Sequence, residues 1–195
     1  LDGTKDFIQG TSNYAMHLAL NYKNKPYIGI VLIPEKDQLW ISKIENVWCE
    51  KRDGSKLKPT LFHKKSLQDM TLVTSKNHRN ETLNNLIQKI KFNEVKIMGS
   101  IGCKISSILR GECDIYICLS LPQKSSPKDW DFAAPEAILT AAGGSITTLN
   151  NEELTYGKSN FEQGGIIIAS NNKNMHKSIC LEIKEIIQKY SIYPI

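Results

Sequence analysis

No stretch of this 195-residue chain approaches the roughly 18 consecutive apolar residues of a membrane-spanning helix, and no signal-peptide pattern is visible. The five cysteines (Cys49, Cys103, Cys113, Cys118 and Cys180) contain no Cys-x-x-Cys pair and no metal-ligand spacing. Odd in number and scattered, they read as reduced, mostly buried thiols of a cytoplasmic protein. No five or six like charges run together, so the net charge of +5 does not make a nucleic-acid stripe, although it suits an anionic small molecule. There is no Gly-x-Ser-x-Gly and no Cys–His spacing, which leaves no candidate covalent nucleophile. There is also no internal repeat and no low-complexity segment. Hydrophobic residues at 41% and charged residues at 23% are ordinary for a globular protein with one core or two small ones.

What the chain does have is a change of period part-way along. Residues 14–20 alternate, with Tyr14, Met16, Leu18 and Leu20 on one side and Ala15, His17 and Ala19 on the other. Residues 27–33 are a β-branched run closed by Pro34, so the two segments predict a hairpin. Two more strands are expected at 38–42 and 47–51, before a turn at Asp53-Gly54. From Thr71 onward, strands at 71–75, 95–98, 114–119, 145–149 and 165–169 are mixed with helices. Asn80 is placed to cap a helix through Leu83, Leu86, Ile87 and Ile90. Ser100 opens another through Ile101, Ile105, Ile108 and Leu109, which Gly111 ends. A third surrounds Asp131, with Asp129 as its N-cap and Pro135 near its start, and a fourth covers 172–190. The expectation is an α/β fold of layered helices and sheets, with an antiparallel sheet in residues 1–70 and a smaller α/β half in residues 71–195.

Two stretches far apart carry the chemistry: Leu1-Asp2-Gly3-Thr4-Lys5-Asp6-Phe7-Ile8, and the run from Asp129-Trp130-Asp131 to Gly143-Gly144. Asp-Gly-Thr is a tight turn in which Gly3 lets backbone N–H groups approach an anion and Thr4 adds a hydroxyl. An Asp before Gly is, taken alone, most often a turn residue. Two carboxylates converging on a phosphate need cations between them, and Mg²⁺, with its hard oxygen ligands, suits that task.

LDGTKDFI resembles the second half of the D-P-L-D-G-T-K-E-F motif of the inositol-monophosphatase superfamily, and WDFAAPEAILTAAGG resembles its second signature, W-D-x-A-A-x-x-A-I-L-x-A-A-G-G. Lys5-Asp6-Phe7 is closer to the CysQ-type 3′(2′),5′-bisphosphate nucleotidases than to the inositol phosphatases. The resemblance implies a sugar-phosphatase fold of the α+β kind. It makes Asp2, Asp131 and the Leu1 carbonyl ligands of two or three Mg²⁺ ions. Thr4 becomes the residue that helps activate the attacking water, and the Gly3 and Thr4 N–H groups hold the phosphate. Ser75-Lys76-Asn77-His78 resembles a segment whose Ser and His contact the nucleotide, which assigns Ser75 and His78 to the substrate. Residues 98–104 resemble a segment that holds the second phosphate or the nucleoside, which assigns Ser100 and Lys104.

The implied reaction is metal-assisted hydrolysis of the 3′-phosphate of 3′-phosphoadenosine 5′-phosphate or its sulfated relative, a step tied to sulfur metabolism. Cys118 stands where some members carry an arginine that helps hold the substrate. An inositol or sugar phosphate is the alternative ester, and a catalytically inactive homologue is the alternative class. The family carries an Asp-Pro pair just before the Leu1 position and further metal ligands upstream, so the chain reads as the C-terminal part of a longer protein or as a truncated product. Helices from that upstream part cover one face of the first sheet in the family, so here an apolar sheet face is expected to be exposed. A small anion is the expected partner, nucleic acid is not, and a homodimer is left open. Glu136 and Trp130 are read as structural, and His17, His63 and His176 as structural or surface residues.

Overall fold

In the computed structural model, which describes residues 1–60, 65–76 and 79–194, sheets and helices alternate in four layers. A one-turn helix α1 (Thr4–Ile8) precedes an antiparallel meander of β1 (Met16–Tyr22), β2 (Lys25–Ile33), β3 (Gln38–Lys43), β4 (Asn46–Glu50) and β5 (Lys56–Leu57), paired in that order. The predicted hairpin is present, but β1 begins at Met16. Ala15 is taken instead by a bridge to Asp2, which fastens the start of the chain to the sheet. The period of two sends Val31, Ile33, Trp40 and Cys49 inward.

The second sheet has the order β7-β6-β8-β10-β9, from β6 (Thr71–Ser75), β7 (Glu94–Met98), β8 (Ile115–Leu119), β9 (Ser145–Thr148) and β10 (Ile166–Ser170). Its β7, β6 and β8 run parallel, whereas β10 is antiparallel to both β8 and β9. The alternation seen in the sequence is a true strand–helix alternation only up to β9. β9 and β10 are joined by loop, and antiparallel neighbours need no helical crossover.

Helices α3 (Ile101–Leu109) and α4 (Asp129–Ala141) fill the space between the sheets. They share one core with Val31 and Trp40 of the first sheet and Val73, Tyr116 and Ile167 of the second. Helices α2 (Glu81–Ile90) and α5 (Lys173–Lys189) cover the far face of the second sheet through Leu83, Leu86, Ile179 and Ile183. Asn80 caps α2 as expected, accepting from the Leu83 N–H at 2.8 Å. All nine residues of α3 are buried, because this helix meets a sheet on each side.

Two local expectations change. The N-cap of α4 is Lys128, and Asp129 is the first helical residue. Its carboxylate clamps the 155–163 loop instead, accepting from Gly157 N–H and Gln163 Nε2, each at 2.7 Å. Starting the helix at Asp129 also puts Pro135 in the second turn, inside the helix. The outer face of the first sheet is apolar and uncovered, as expected, with Met16, Leu18, Leu20 and Tyr22 each more than half exposed. Among the described residues no helix is long and apolar enough to cross a membrane.

Candidate active site

Asp2 is held at three points. Its backbone exchanges hydrogen bonds with Ala15, N–H to O at 2.8 Å and O to N–H at 3.0 Å. Its Oδ2 accepts from Ser100 Oγ at 2.8 Å and from the Ile101 N–H at 2.6 Å. The carboxylate therefore sits at the positive end of α3. Gly3 turns the chain away at φ +84, and a side chain there would meet the Asn13 carbonyl at 2.7 Å.

Asp131 approaches from α4. It is the third residue of that helix, and its Oδ2 accepts from the Lys128 N–H at 2.8 Å. This is the return half of a helix-start motif, and it fixes the carboxylate near the helix's positive end. Asp2 and Asp131 line one cavity of about 430 Å³, together with Ser75 at the end of β6, Gly99, Lys104, Tyr116 and Cys118.

Lys104 is 1% exposed. Its Nζ donates to the Gly99 carbonyl at 2.6 Å and stands 5.1 Å from the Tyr116 ring centroid. Burial pulls its pKa below the ordinary lysine value, against the charge of Asp2. Burial also drives the Tyr116 hydroxyl well above its ordinary range and raises the Cys118 thiol, so neither is a source of negative charge in the cavity.

Of the residues expected from sequence, the fold brings Asp2, Ser75, Lys104 and Asp131 to one cavity. Ser100 is fully buried and lies behind Asp2, its hydroxyl spent on that carboxylate. Leu1, Gly3 and Thr4 flank Asp2 without lining the cavity, and Leu1 and Thr4 are exposed. His78 lies outside the described residues, as does His63.

Sequence reasoning missed Arg79 and Lys124, two cations on the same cavity. Lys124 belongs to a Pro-containing loop whose path no periodicity predicts. His17, read as structural or surface, has a side chain that is only 7% exposed, with Nε2 3.7 Å from Asp2 Oδ2. Burial holds its pKa below the usual histidine value, against the pull of Asp2 and Asp131. Trp130, read as a packing residue, is 61% exposed and tilts against Phe161 at 5.9 Å between ring centroids. His176 is structural, buried between Ser170 Oγ at 2.7 Å and Thr147 Oγ1 at 2.8 Å. Asp6 is fully buried, with Thr11 Oγ1 at 2.6 Å and Lys76 Nζ at 3.5 Å.

The sequence pattern of the inositol monophosphatase family matches residues 1–188. The chain belongs to that family. The family is generally metal-dependent. Among curated family members, a 3′(2′),5′-bisphosphate nucleotidase CysQ of Buchnera aphidicola is 35% identical over 156 residues, 80% of this chain and 56% of that protein. The solved structure of SaIMPase-II with bound inositol monophosphate superposes with a TM-score of 0.76 at 24% identity, covering 98% of this chain and 69% of that one. CysQ from Bacteroides thetaiotaomicron gives a TM-score of 0.73 at 22% identity, covering 88% of this chain and 68% of that one. The two structures share the inositol monophosphatase fold with this chain. The chain spans 56–59% of the length of the curated relatives it matches first.

Among the described residues no three His, Cys, Asp or Glu side chains are grouped as a ready metal cage. Two carboxylates in one cavity, with room for water and phosphate oxygens, nevertheless fit a hard divalent cation, which is commonly held by one or two carboxylates plus substrate. The donor set is compatible with the metal dependence of the family.

Proposed function

We propose that this chain forms the substrate-facing part of a divalent-cation-dependent phosphomonoesterase. Its ester is the 3′-phosphate of a nucleoside bisphosphate such as 3′-phosphoadenosine 5′-phosphate, and AMP is the product. The observation that carries the reading is the shared cavity. Asp2 and Asp131 come from distant parts of the chain and line it together with three cations, Arg79, Lys104 and Lys124. Carboxylates alone would repel a phosphate, and cations alone would not hold a metal. The combination suits a metal-bound ester that carries a second anionic group.

A bound Mg²⁺, or a set of two or three, would supply an activated water and take up charge on the phosphate oxygens. The chain's own groups do the rest. Asp2, fixed by Ser100 and the Ile101 N–H, and Asp131, fixed by the Lys128 N–H, present carboxylate oxygens in a set orientation. In this reading Leu1 lends its carbonyl to the metal, Thr4 orients the water, and the Gly3 and Thr4 N–H groups meet the phosphate. Ser75 and Lys104, with His78, face the nucleotide, and Ser100 acts on the substrate only through Asp2. The preference for a bisphosphate rests on Lys104, Arg79 and Lys124, and a cytoplasmic location is part of the same proposal. The relatives named as 3′(2′),5′-bisphosphate nucleotidases support this choice of ester.

The test is phosphate release with Mg²⁺ from 3′-phosphoadenosine 5′-phosphate and from inositol 1-phosphate, with and without a chelator. Release mainly from the nucleotide, abolished by the chelator, is expected. A preference for the inositol ester would overturn the substrate assignment, and chelator-resistant release would overturn the metal assignment.

A further inference from the structure

Lys124 reaches the cavity from a loop, and the end of the chain holds that loop. The cavity wall formed by β8 is uncharged, because burial keeps the Tyr116 hydroxyl and the Cys118 thiol protonated. Positive charge on that wall comes from the loop that follows Ser120. Leu121, Pro122, Gln123 and Lys124 make a tight turn. Pro122 is its second residue, Gln123 is left-handed at φ +62, and the Lys124 N–H donates to the Leu121 carbonyl at 3.2 Å. The place of Lys124 is therefore tied to that of Leu121, which follows Ser120 directly.

Ser120 is gripped on both sides. Its N–H donates to the Gly165 carbonyl at 2.9 Å, and its own carbonyl accepts from Tyr193 Oη at 3.0 Å. Tyr193 is delivered there by the way α5 ends. Ser191 is left-handed at φ +48, its N–H donates to the Gln188 carbonyl at 3.2 Å, and the Ile192 N–H donates to the Ile187 carbonyl at 3.1 Å. This pair of bonds turns the chain back along the helix. It sets Ile192 and Tyr193 on the same outer core as Leu121. Tyr193 and Lys124 line one recess beside the main cavity, and Ser120 lines both.

We propose that Tyr193 is a positioning residue for substrate selection: through the Ser120 carbonyl and the turn after it, Tyr193 sets Lys124 on the second anionic group of the substrate. Tyr193 itself stays outside the cavity that holds Asp2 and Asp131. The inference rests on the bisphosphate reading of the site and deepens it by naming the element, the tail after α5, that governs the choice between one anionic group and two.

The experiment is a double-mutant cycle on the full chain with Tyr193→Phe and Lys124→Met. Y193F keeps the ring and its packing and loses the hydroxyl alone. Calorimetric Kd and, with Mg²⁺, KM and kcat are measured for adenosine 3′,5′-bisphosphate and for adenosine 3′-phosphate, which lacks the second anion. K124M should weaken the bisphosphate about tenfold. Y193F should weaken it about three- to tenfold. In both variants kcat and the monophosphate should change less. In the double variant Y193F should add nothing to K124M, because the hydroxyl acts only through the lysine. A Y193F effect that is absent, equal on both ligands or fully additive with K124M overturns the assignment, as does bisphosphate affinity unchanged in K124M. Where the native chain binds the nucleotides and releases phosphate from neither, the phosphoesterase reading falls and the calorimetric cycle still decides the role of Tyr193. Binding of neither nucleotide overturns both.

Discussion

Ser100 Oγ lies 2.8 Å from Asp2 Oδ2, and the N–H of the following residue lies 2.6 Å from the same oxygen. The second residue of the chain is thereby locked to the start of α3, the central buried helix. Ser100 also closes that helix, accepting from the Cys103 N–H at 3.3 Å. Its hydroxyl serves two elements at once.

Ser100→Ala should therefore cost both a helix cap and a hydrogen bond to a charged group. The expected loss is about 1–3 kcal/mol in urea unfolding. Metal affinity should fall ~10–100-fold, as for other partners that orient a ligand. Unchanged metal binding in a folded S100A protein would show that Asp2 needs no orientation by this hydroxyl.

Asp131→Asn separates charge from fold. Asparagine keeps an oxygen able to accept from the Lys128 N–H, so the start of α4 should survive and stability should change by no more than ~1 kcal/mol. Phosphate release should drop by more than the ~100-fold seen for loss of outer-shell partners, since a ligand charge is gone. Retained activity in D131N would remove Asp131 from the site.

Much of this arrangement was legible in the sequence, and the parts that were not have physical reasons. Strand alternation gave the hairpin of β1 and β2, and the spacing of Leu83, Leu86, Ile87 and Ile90 gave α2, because burial on one face imposes a period. The signatures around Asp2 and Asp131 marked the two carboxylates. Periodicity could not reveal that β10 runs antiparallel to its neighbours β8 and β9, since pairing direction depends on how the chain returns and not on local composition. Nor could it show that Lys104 lies on a helix buried on both sides, where a lysine on one face has no solvent to reach. His17 looked like any inward residue of a strand. It stands opposite Asp2 because the bridge to Ala15 brings that residue there.

Glu136 offers a pH test away from the cavity. Burial raises its carboxyl from an ordinary 4.5 to about 7, opposed by the hydrogen bond that Tyr156 OH donates to it. A raised carboxyl favours the folded state fully below pH 4.5, and that advantage is lost as pH rises through about 7. Above that pH the native state holds a buried charge. Glu136→Gln keeps an acceptor for Tyr156 without the charge. The variant should be more stable than the parent by about 1–3 kcal/mol at pH 8, and the difference should vanish near pH 4. Thermal unfolding at the two pH values checks this, and a pH-independent difference would refute the assignment.

Lys104 poses the opposite balance, because its buried charge is unfavourable for the fold and useful for the proposed ligand. Its ammonium is nearly fully buried, donates to the Gly99 carbonyl and sits over Tyr116. Replacement by methionine relieves the desolvation of a cation but leaves the Gly99 carbonyl without that donor. The two effects oppose each other, each about 1–3 kcal/mol, so Lys104→Met should leave stability within ~1.5 kcal/mol of the parent. The ligand feels no such compensation. Losing one charge-assisted contact to an anion of the bisphosphate should raise its KM about tenfold or more, with a smaller change for a substrate that has a single phosphate. Equal effects on both substrates would mean that the lysine acts on the shared ester and its metal, through Asp2, and not on a second phosphate. A large loss of stability with KM unchanged would make Lys104 a prop for the Gly99 turn and leave Arg79 and Lys124 as the groups that recognise the second anion.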